Sequence, residues 1–271
     1  MKNPLYELYK KRFGEKFTSN LCKNNEFQLD FSSDFVTDSP NKCQECAATK
    51  FRQDLPFWIG DVQKDFMIIA QDAGKGEGDD FNTVFSIHKA YNNIDVYKNN
   101  KKHDTYFTYL NKLVSVNDKN EINFFKNVFF TDLVKCAFSS SKDVNISFKE
   151  EDKENRKTVQ CHTDILTEIA TVNPKIVYLF GQKPRDTFKK LITNKFKDKK
   201  INNIDSHDII INKGRKTSIQ LFEHPEFNDI LFISVPQLGN NRFSLEGYSI
   251  LFEFLDNKLK PIIAKHISKR D

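Results

Sequence analysis

A three-layer α-β-α sandwich around a central, mainly parallel four-stranded sheet is the fold class the sequence predicts, and three observations predict it. Four short apolar runs, at residues 66–70, 127–131, 175–180 and 230–235, lack the polar alternation of a half-exposed strand, so each reads as a strand covered on both faces. Helical patterns separate them, and strands alternating with helices belong to parallel sheets with helices on both sides. Turn signals divide the two kinds of segment. Asn173-Pro174, for instance, ends a helix just before the third run, because proline pushes the residue before it out of the helical region.

In chain order, Leu5, Leu8 and Tyr9 recur at helical spacing and predict a helix over 4–13. A polar stretch leads to Cys43-Gln44-Glu45-Cys46. The strand at 66–70, Phe-Met-Ile-Ile-Ala, runs into a loop carrying Gly74, Gly76 and Gly78. A helix over 105–114 and the strand at 127–131 follow. The helix at 159–172 places Ile165, Leu166 and Ile169 on one face. After the strand at 175–180 come a helix over 184–192, a hairpin bearing His224-Pro225, and the last strand at 230–235. Residues 91–120 and 139–157 are polar, lysine-rich insertions or loops, and no internal repeat is visible.

A chain of 271 residues supports a sizeable core without staples. One domain over 1–271 is expected: an N-terminal helix and Cys-x2-Cys segment over 1–60, a core over 61–258 and a helical insertion over 88–120. With 38% hydrophobic and 29% charged residues, the composition is that of a folded globular protein rather than a disordered one. No apolar run approaches the roughly 20 residues of a membrane-spanning helix, and residues 1–16 lack a secretory pattern. A cytoplasmic protein is expected, with five cysteines available as ligands, nucleophiles or buried hydrophobes rather than disulfides. The net charge of +5 is mild. Basic clusters at Lys98, Lys101 and Lys102, at Lys195, Lys197, Lys199 and Lys200, and at Lys213, Arg215 and Lys216 are compatible with DNA and equally with solvated surface.

Open parallel sheets bind ligands beyond the carboxyl ends of their strands, which directs attention to 71–80, 132–135, Gly181-Gln182 and 236–242. Three of these segments carry a resemblance. Ala70-Gln71-Asp72-Ala73-Gly74 resembles the first motif of the uracil-DNA glycosylase superfamily, G-Q-D-P-Y in the uracil enzymes and G-E-A-P-G in the iron-sulfur ones. The segment Phe130-Thr131-Asp132-Leu133-Val134-Lys135-Cys136 is similar to the Y-I-T-N-V-V-K-C of the iron-sulfur families. Cys161, then Asn173-Pro174-Lys175-Ile176-Val177-Tyr178-Leu179-Phe180-Gly181, looks like their Cys, helix and P-K-V-I-V-x-L-G. The resemblance runs in order from about Cys43 to Arg242 and is weakest at the last motif.

Cys43, Cys46, Cys136 and Cys161 occupy the positions where the iron-sulfur families place cluster ligands, which implies a four-iron four-sulfur cluster with an architectural role. Cys22 is left over. Taken alone, the spacing fits zinc as well, because both metals accept four thiolates.

The resemblance also implies a reaction. Such enzymes flip a nucleotide out of the duplex, stack its base on an aromatic ring and hydrolyse the glycosidic bond. Asp72 stands where a carboxylate orients water and stabilises the oxocarbenium-like sugar; its other reading is a loop residue capping a turn. Gln71 contributes a backbone amide to a base oxygen. Val84-Phe85-Ser86-Ile87 resembles L-x-F-S-V, making Phe85 the stacking ring or a core residue. Asp132 replaces the Asn that reads uracil. An ionised carboxylate cannot donate to O4, but it accepts from an exocyclic amine such as cytosine N4. Gly74 replaces the tyrosine that blocks pyrimidine C5. A glycosylase acting on a C5-modified cytosine, hydroxymethylated or glucosylated as in phage DNA, is therefore expected, with a role in antiviral defence.

The fourth motif departs further. Val235-Pro236-Gln237-Leu238 stands where relatives have H-P-S, so the histidine that serves the leaving base is missing. Gln237, Asn240 or Asn241 would have to substitute, unless His224-Pro225 is the true motif. Leu238 is a candidate wedge and Arg242 a phosphate contact, and together with Pro236, Gln237 and Asn240 they form the expected DNA-binding loop. DNA is the expected partner, and the protein is expected to act as a monomer. A conventional uracil-DNA glycosylase, an inactive DNA-binding or base-sensing module, and a zinc hydrolase are the rivals. For the last, the six histidines form no close ligand pair.

Overall fold

The structure, a computed structural model, describes residues 52–59, 64–72, 101–114, 128–138, 164–212, 214–237 and 243–269. Its strands are β1 (Arg52–Ile59), β2 (Phe66–Asp72), β3 (Val128–Phe138), β4 (Ile176–Phe180), β5 (Asn202–Asn212), β6 (Arg215–Glu223) and β7 (Leu231–Val235). The helices are α1 (Lys101–Val114), α2 (Asp164–Val172), α3 (Gln182–Lys195), α4 (Leu245–Phe254) and α5 (Lys260–Ile267). A π-helical turn, Leu255–Leu259, joins the last two.

All seven strands form one sheet in the order β1-β3-β2-β4-β7-β6-β5. The four apolar runs are its parallel centre: β3 and β4 flank β2, and β7 follows β4, all parallel. The expectation of a four-stranded sheet is corrected at both edges. β1 pairs antiparallel with β3, and the β5–β6 hairpin pairs antiparallel with β7. The β5–β6 hairpin escapes the apolar-run criterion because it lies at a sheet edge with many of its side chains in solvent. Residues of β5 and β6 such as Asn203, Ser206 and Lys216 are exposed, so no continuous apolar run is required of them.

Alternation along the central strands sorts their side chains into two apolar layers. Phe66, Ile68 and Ala70, with Ile176, Tyr178 and Phe180 and with Leu231, Ile233 and Val235, pack with Tyr109 and Leu113 of α1 and with Leu251, Leu255, Leu259 and Ile263. Met67, Ile69, Val177, Leu179 and Phe232 pack instead with Ile165, Ile169 and Val172 of α2 and Phe188 and Ile192 of α3. The three layers are thus α1, α4 and α5, then the sheet, then α2 and α3. No described helix is long and apolar enough to cross a membrane.

Two buried tyrosines tie α1 to the sheet. The Tyr109 hydroxyl donates to the Pro236 carbonyl at 2.7 Å, and the Tyr178 hydroxyl donates to the Leu113 carbonyl. Burial pushes the Tyr178 phenol well above its ordinary pKa, which keeps it a donor. The helix expected at 4–13, the five residues 159–163 and the loop at 139–157 lie outside the described residues.

Candidate active site at the carboxyl edge of the sheet

The parallel register brings the first and second motifs side by side. Ala70 pairs with Asp132 and Asp72 with Val134, so Asp72 stands two residues beyond the level of Asp132 on the neighbouring strand. At ~3.3 Å per residue along the strand and ~4.8 Å across, the two backbones are separated by about 8 Å. Parallel neighbours in register share a face, so Asp132 belongs to the α1 face with Ala70 and Phe130. Asp132 is 1% exposed, a carboxylate carried in the sheet itself rather than on a loop. Gln71 is half-buried at the same edge.

An aromatic floor lies beneath this corner on the same face. The Phe180 ring is 6.4 Å from Phe130, edge-on, and 5.9 Å from Tyr109. Through its hydroxyl Tyr109 also fixes Pro236, the first residue after β7. Sequence reasoning did not single out Tyr109. Its only sequence signal was a tyrosine at a core-facing position of a predicted helix, which gives no indication of the distant carbonyl it meets.

The next two strands finish the edge. Phe180 pairs with Val235, and the Gly181 amide donates to the Val235 carbonyl at 2.7 Å. Gly181 has φ 93° and ψ 171°, a combination essentially confined to glycine. A Cβ there would lie 3.4 Å from Cβ of Gln237, so the exposed Gln237 folds over the start of α3. Beside it a polar cleft of ≈ 350 Å³ opens between the first turn of α3 and the β5–β6 hairpin, with Ser234, Val235 and Pro236 on its floor. Further along α3, the Lys189 ammonium hydrogen-bonds Gln220 at 3.0 Å and Asn203 at 3.2 Å. Burial, then the charge of Arg185, hold its pKa below the ordinary lysine value.

The segment from Val235 lies at the carboxyl end of β7, at the same edge as Asp132. Val235 ends β7, 1% exposed and packed into the α1-side core, so no histidine occupies that position. His224 lies at the other end of the sheet, past the end of β6 and before the start of β7. It is buried against Phe196 and Phe227 at ring distances of 5.5 and 5.9 Å, and its Nδ1 accepts from the Glu226 amide at 3.2 Å. Burial lowers its pKa, so it is a neutral, structural histidine. His207 pairs with Asp205 at 2.7 Å, and His266 meets the Asp229 carbonyl at 3.0 Å.

Gly74, Phe85, Leu238, Asn240 and Arg242 lie outside the described residues, as do Cys43, Cys46 and Cys161. The side chains of Asp72 and Cys136 also lie outside what is described, although their strands are included. The backbone of Cys136 stands opposite Pro56 of β1. β1 begins at Arg52, six residues after Cys46, a reach of at most about 21 Å of extended chain. Among the described residues, no group of three His, Cys, Asp or Glu side chains is arranged to hold a metal.

Residues 57–233 match the model of the uracil DNA glycosylase superfamily. No curated protein matches the chain.

Proposed function

The chain belongs to the uracil-DNA glycosylase superfamily, a superfamily of DNA glycosylases, and from that premise we propose that it hydrolyses the N-glycosidic bond of a flipped pyrimidine in DNA, leaving an abasic site. The favoured base is a C5-modified cytosine, hydroxymethylated or glucosylated, and the biological role is defence against phage DNA. The observation that carries this reading is the buried Asp132 on β3, one strand away from and two residues below Asp72.

In this reading Asp72 faces the sugar. Its carboxylate orients a water for attack on C1′ and stabilises positive charge as the bond to the base lengthens. The Asp132 carboxylate accepts a hydrogen bond from the exocyclic N4 amine, a contact that uracil, with a carbonyl at that position, cannot supply. Gln71 directs its backbone amide at a base oxygen. Phe85 stacks on the flipped ring, and Gly74 leaves space at C5. With Val235 unable to donate to the departing base, Gln237 is the residue beside it with a side-chain amide for that task.

A four-iron four-sulfur cluster on Cys43, Cys46, Cys136 and Cys161 would fasten the N-terminal segment to β3, with zinc as the alternative. When bound, the cluster supplies a covalent cross-brace and takes no part in the hydrolysis. The four-thiolate donor set and the position of Cys136 opposite β1 support the assignment.

The test is an abasic-site assay on duplexes carrying uracil, cytosine, 5-hydroxymethylcytosine or glucosylated 5-hydroxymethylcytosine. Cleavage of a modified cytosine is expected. Excision of uracil alone would remove the base assignment. Binding without excision of any base would favour a base-sensing module, the reading that the apolar Val235 supports.

A further inference from the structure

The β5–β6 hairpin runs well past the edge that carries the candidate site. Gln220 pairs with Ser234, and β7 ends one residue later at Val235. β6 nevertheless extends back from Gln220 to Arg215, paired with β5 to Asn212, and a turn at Gly214 with φ 80° closes the hairpin. At ~3.3 Å per residue, those five residues carry the tip about 16 Å beyond Ser234. One face of the hairpin is propped against the core through Ile209 and Ile219, which pack with Leu251 and Leu255. The His207 ring, 5.0 Å from Phe254, adds to this support.

The opposite face looks across the ≈ 350 Å³ cleft at Gln182 and Arg185 of α3, presenting Asp208, Lys216 and Ser218. Ser234 lies at the bottom. It is 2% exposed and borders the cleft. Arg215 and Lys216 are exposed at the tip, and Lys213 precedes them in the sequence.

We infer that the β5–β6 hairpin is a DNA-gripping arm, its basic tip and the cleft beneath it taking backbone phosphates of the duplex that flanks the flipped nucleotide. The inference rests on the glycosylase reading only in taking DNA as the partner. Guanidinium, ammonium and hydroxyl donors suit phosphate oxygens. An arm that reaches about 13 Å past the end of β7 lies on the path of a duplex, with a major groove about 12 Å wide, whose flipped nucleotide enters at this edge. Asp208 is the opposing charge in the cleft and tempers the affinity.

The experiment uses the full chain and an unmodified duplex of about two helical turns, followed by fluorescence anisotropy between about 50 and 200 mM salt. Arg215→Ala/Lys216→Ala is expected to bind several-fold more weakly. Its plot of log affinity against log salt should be shallower by about 2, about one per lost phosphate contact. Asp208→Asn is expected to bind more tightly than the parent. Lys265→Ala/Lys269→Ala, exposed at the opposite end of the sheet, serves as the charge-matched control and should match the parent. Arg215→Gln/Lys216→Gln, which keeps the long side chains, gives the same reading should the alanine pair melt early. Parental affinity and slope in both tip variants, or an equal loss in the control, would overturn the inference. Because no base is excised in this assay, a protein that turns over no substrate but shows the tip effect would keep the arm and lose the glycosylase reading.

Discussion

On the proposed reading Asp132 puts a carboxylate where an amide would read uracil, and the two differ in whether the group can donate a hydrogen bond to O4. Asp132→Asn is therefore expected to move preference from the cytosine-type base toward uracil by about ten- to a hundredfold, the discrimination one well-placed hydrogen-bonding pair supplies. Competition between the two duplexes in a single reaction measures this directly. Asp72→Asn should lower excision by about 10²- to 10⁴-fold while leaving affinity for the same DNA unchanged, as single-turnover rates and anisotropy would report. Gly181 makes a purely conformational prediction. Its backbone lies in a region that side-chain-bearing residues avoid, while an added methyl meets only ordinary contacts. Gly181→Ala should thus cost about 1–3 kcal/mol in urea denaturation through backbone strain. Asp72 and Asp132 were legible in the sequence because their motifs are local. The cleft-bordering hydroxyl of Ser234 was not, because a serine within an apolar run reads as one more core position.

Among the elements, α1 holds the carboxyl edge of the parallel strands from outside the sheet. Loss of the Tyr109 hydroxyl in Tyr109→Phe leaves the buried Pro236 carbonyl without that donor. About 1 kcal/mol of stability should go with it. If the loop after β7 handles the leaving base, kcat should fall more than KM rises, whereas a purely structural tyrosine would change only the melting temperature. The same helix is clamped one turn further on. Lys112 meets Asp256 at 2.5 Å and Lys260 meets the same carboxylate at 2.8 Å. Burial alone would raise the Asp256 pKa, but the hydrogen bonds and charges of Lys112 and Lys260 hold it below its ordinary value of 3.8. A carboxylate with a lowered folded-state pKa contributes stability that is complete above the unfolded value and disappears as pH falls through the folded one. Asp256→Asn should therefore flatten the dependence of stability on pH below about 4, and urea melts across that range would show it. The central strands and α1 to α3 were visible as periodic patterns. The edge strands and the hairpin's overhang were not, because their pairing partners lie far away in sequence and exposed strand faces leave no apolar signature.

Over the whole molecule, the cysteine pair at 43 and 46 precedes β1 in the sequence, and β1 pairs along β3 from Phe130 to Phe138, the strand that carries Cys136. If the four cysteines hold a cluster, Cys136→Ser should lose the brown colour and broad visible absorbance of anaerobically purified protein, bind less iron and melt earlier. A protein that is colourless but carries one zinc per chain would replace iron-sulfur with zinc. The sequence by itself determined the layered α/β class and the four parallel strands, and it singled out the two carboxylates that these strands carry at their shared edge. Those features rest on local periodicity and on short motifs at strand ends, which need no knowledge of distant partners. Only the tertiary structure decided that the described residues form a seven-stranded sheet, that His224 stands at the end of the sheet away from Asp132, and that Tyr109 clasps the loop after β7. It also decided that a hairpin with a basic tip runs past the carboxyl end of β7. Each of these depends on register between segments far apart in the chain, and register is set by the packing of the whole core rather than by any one segment.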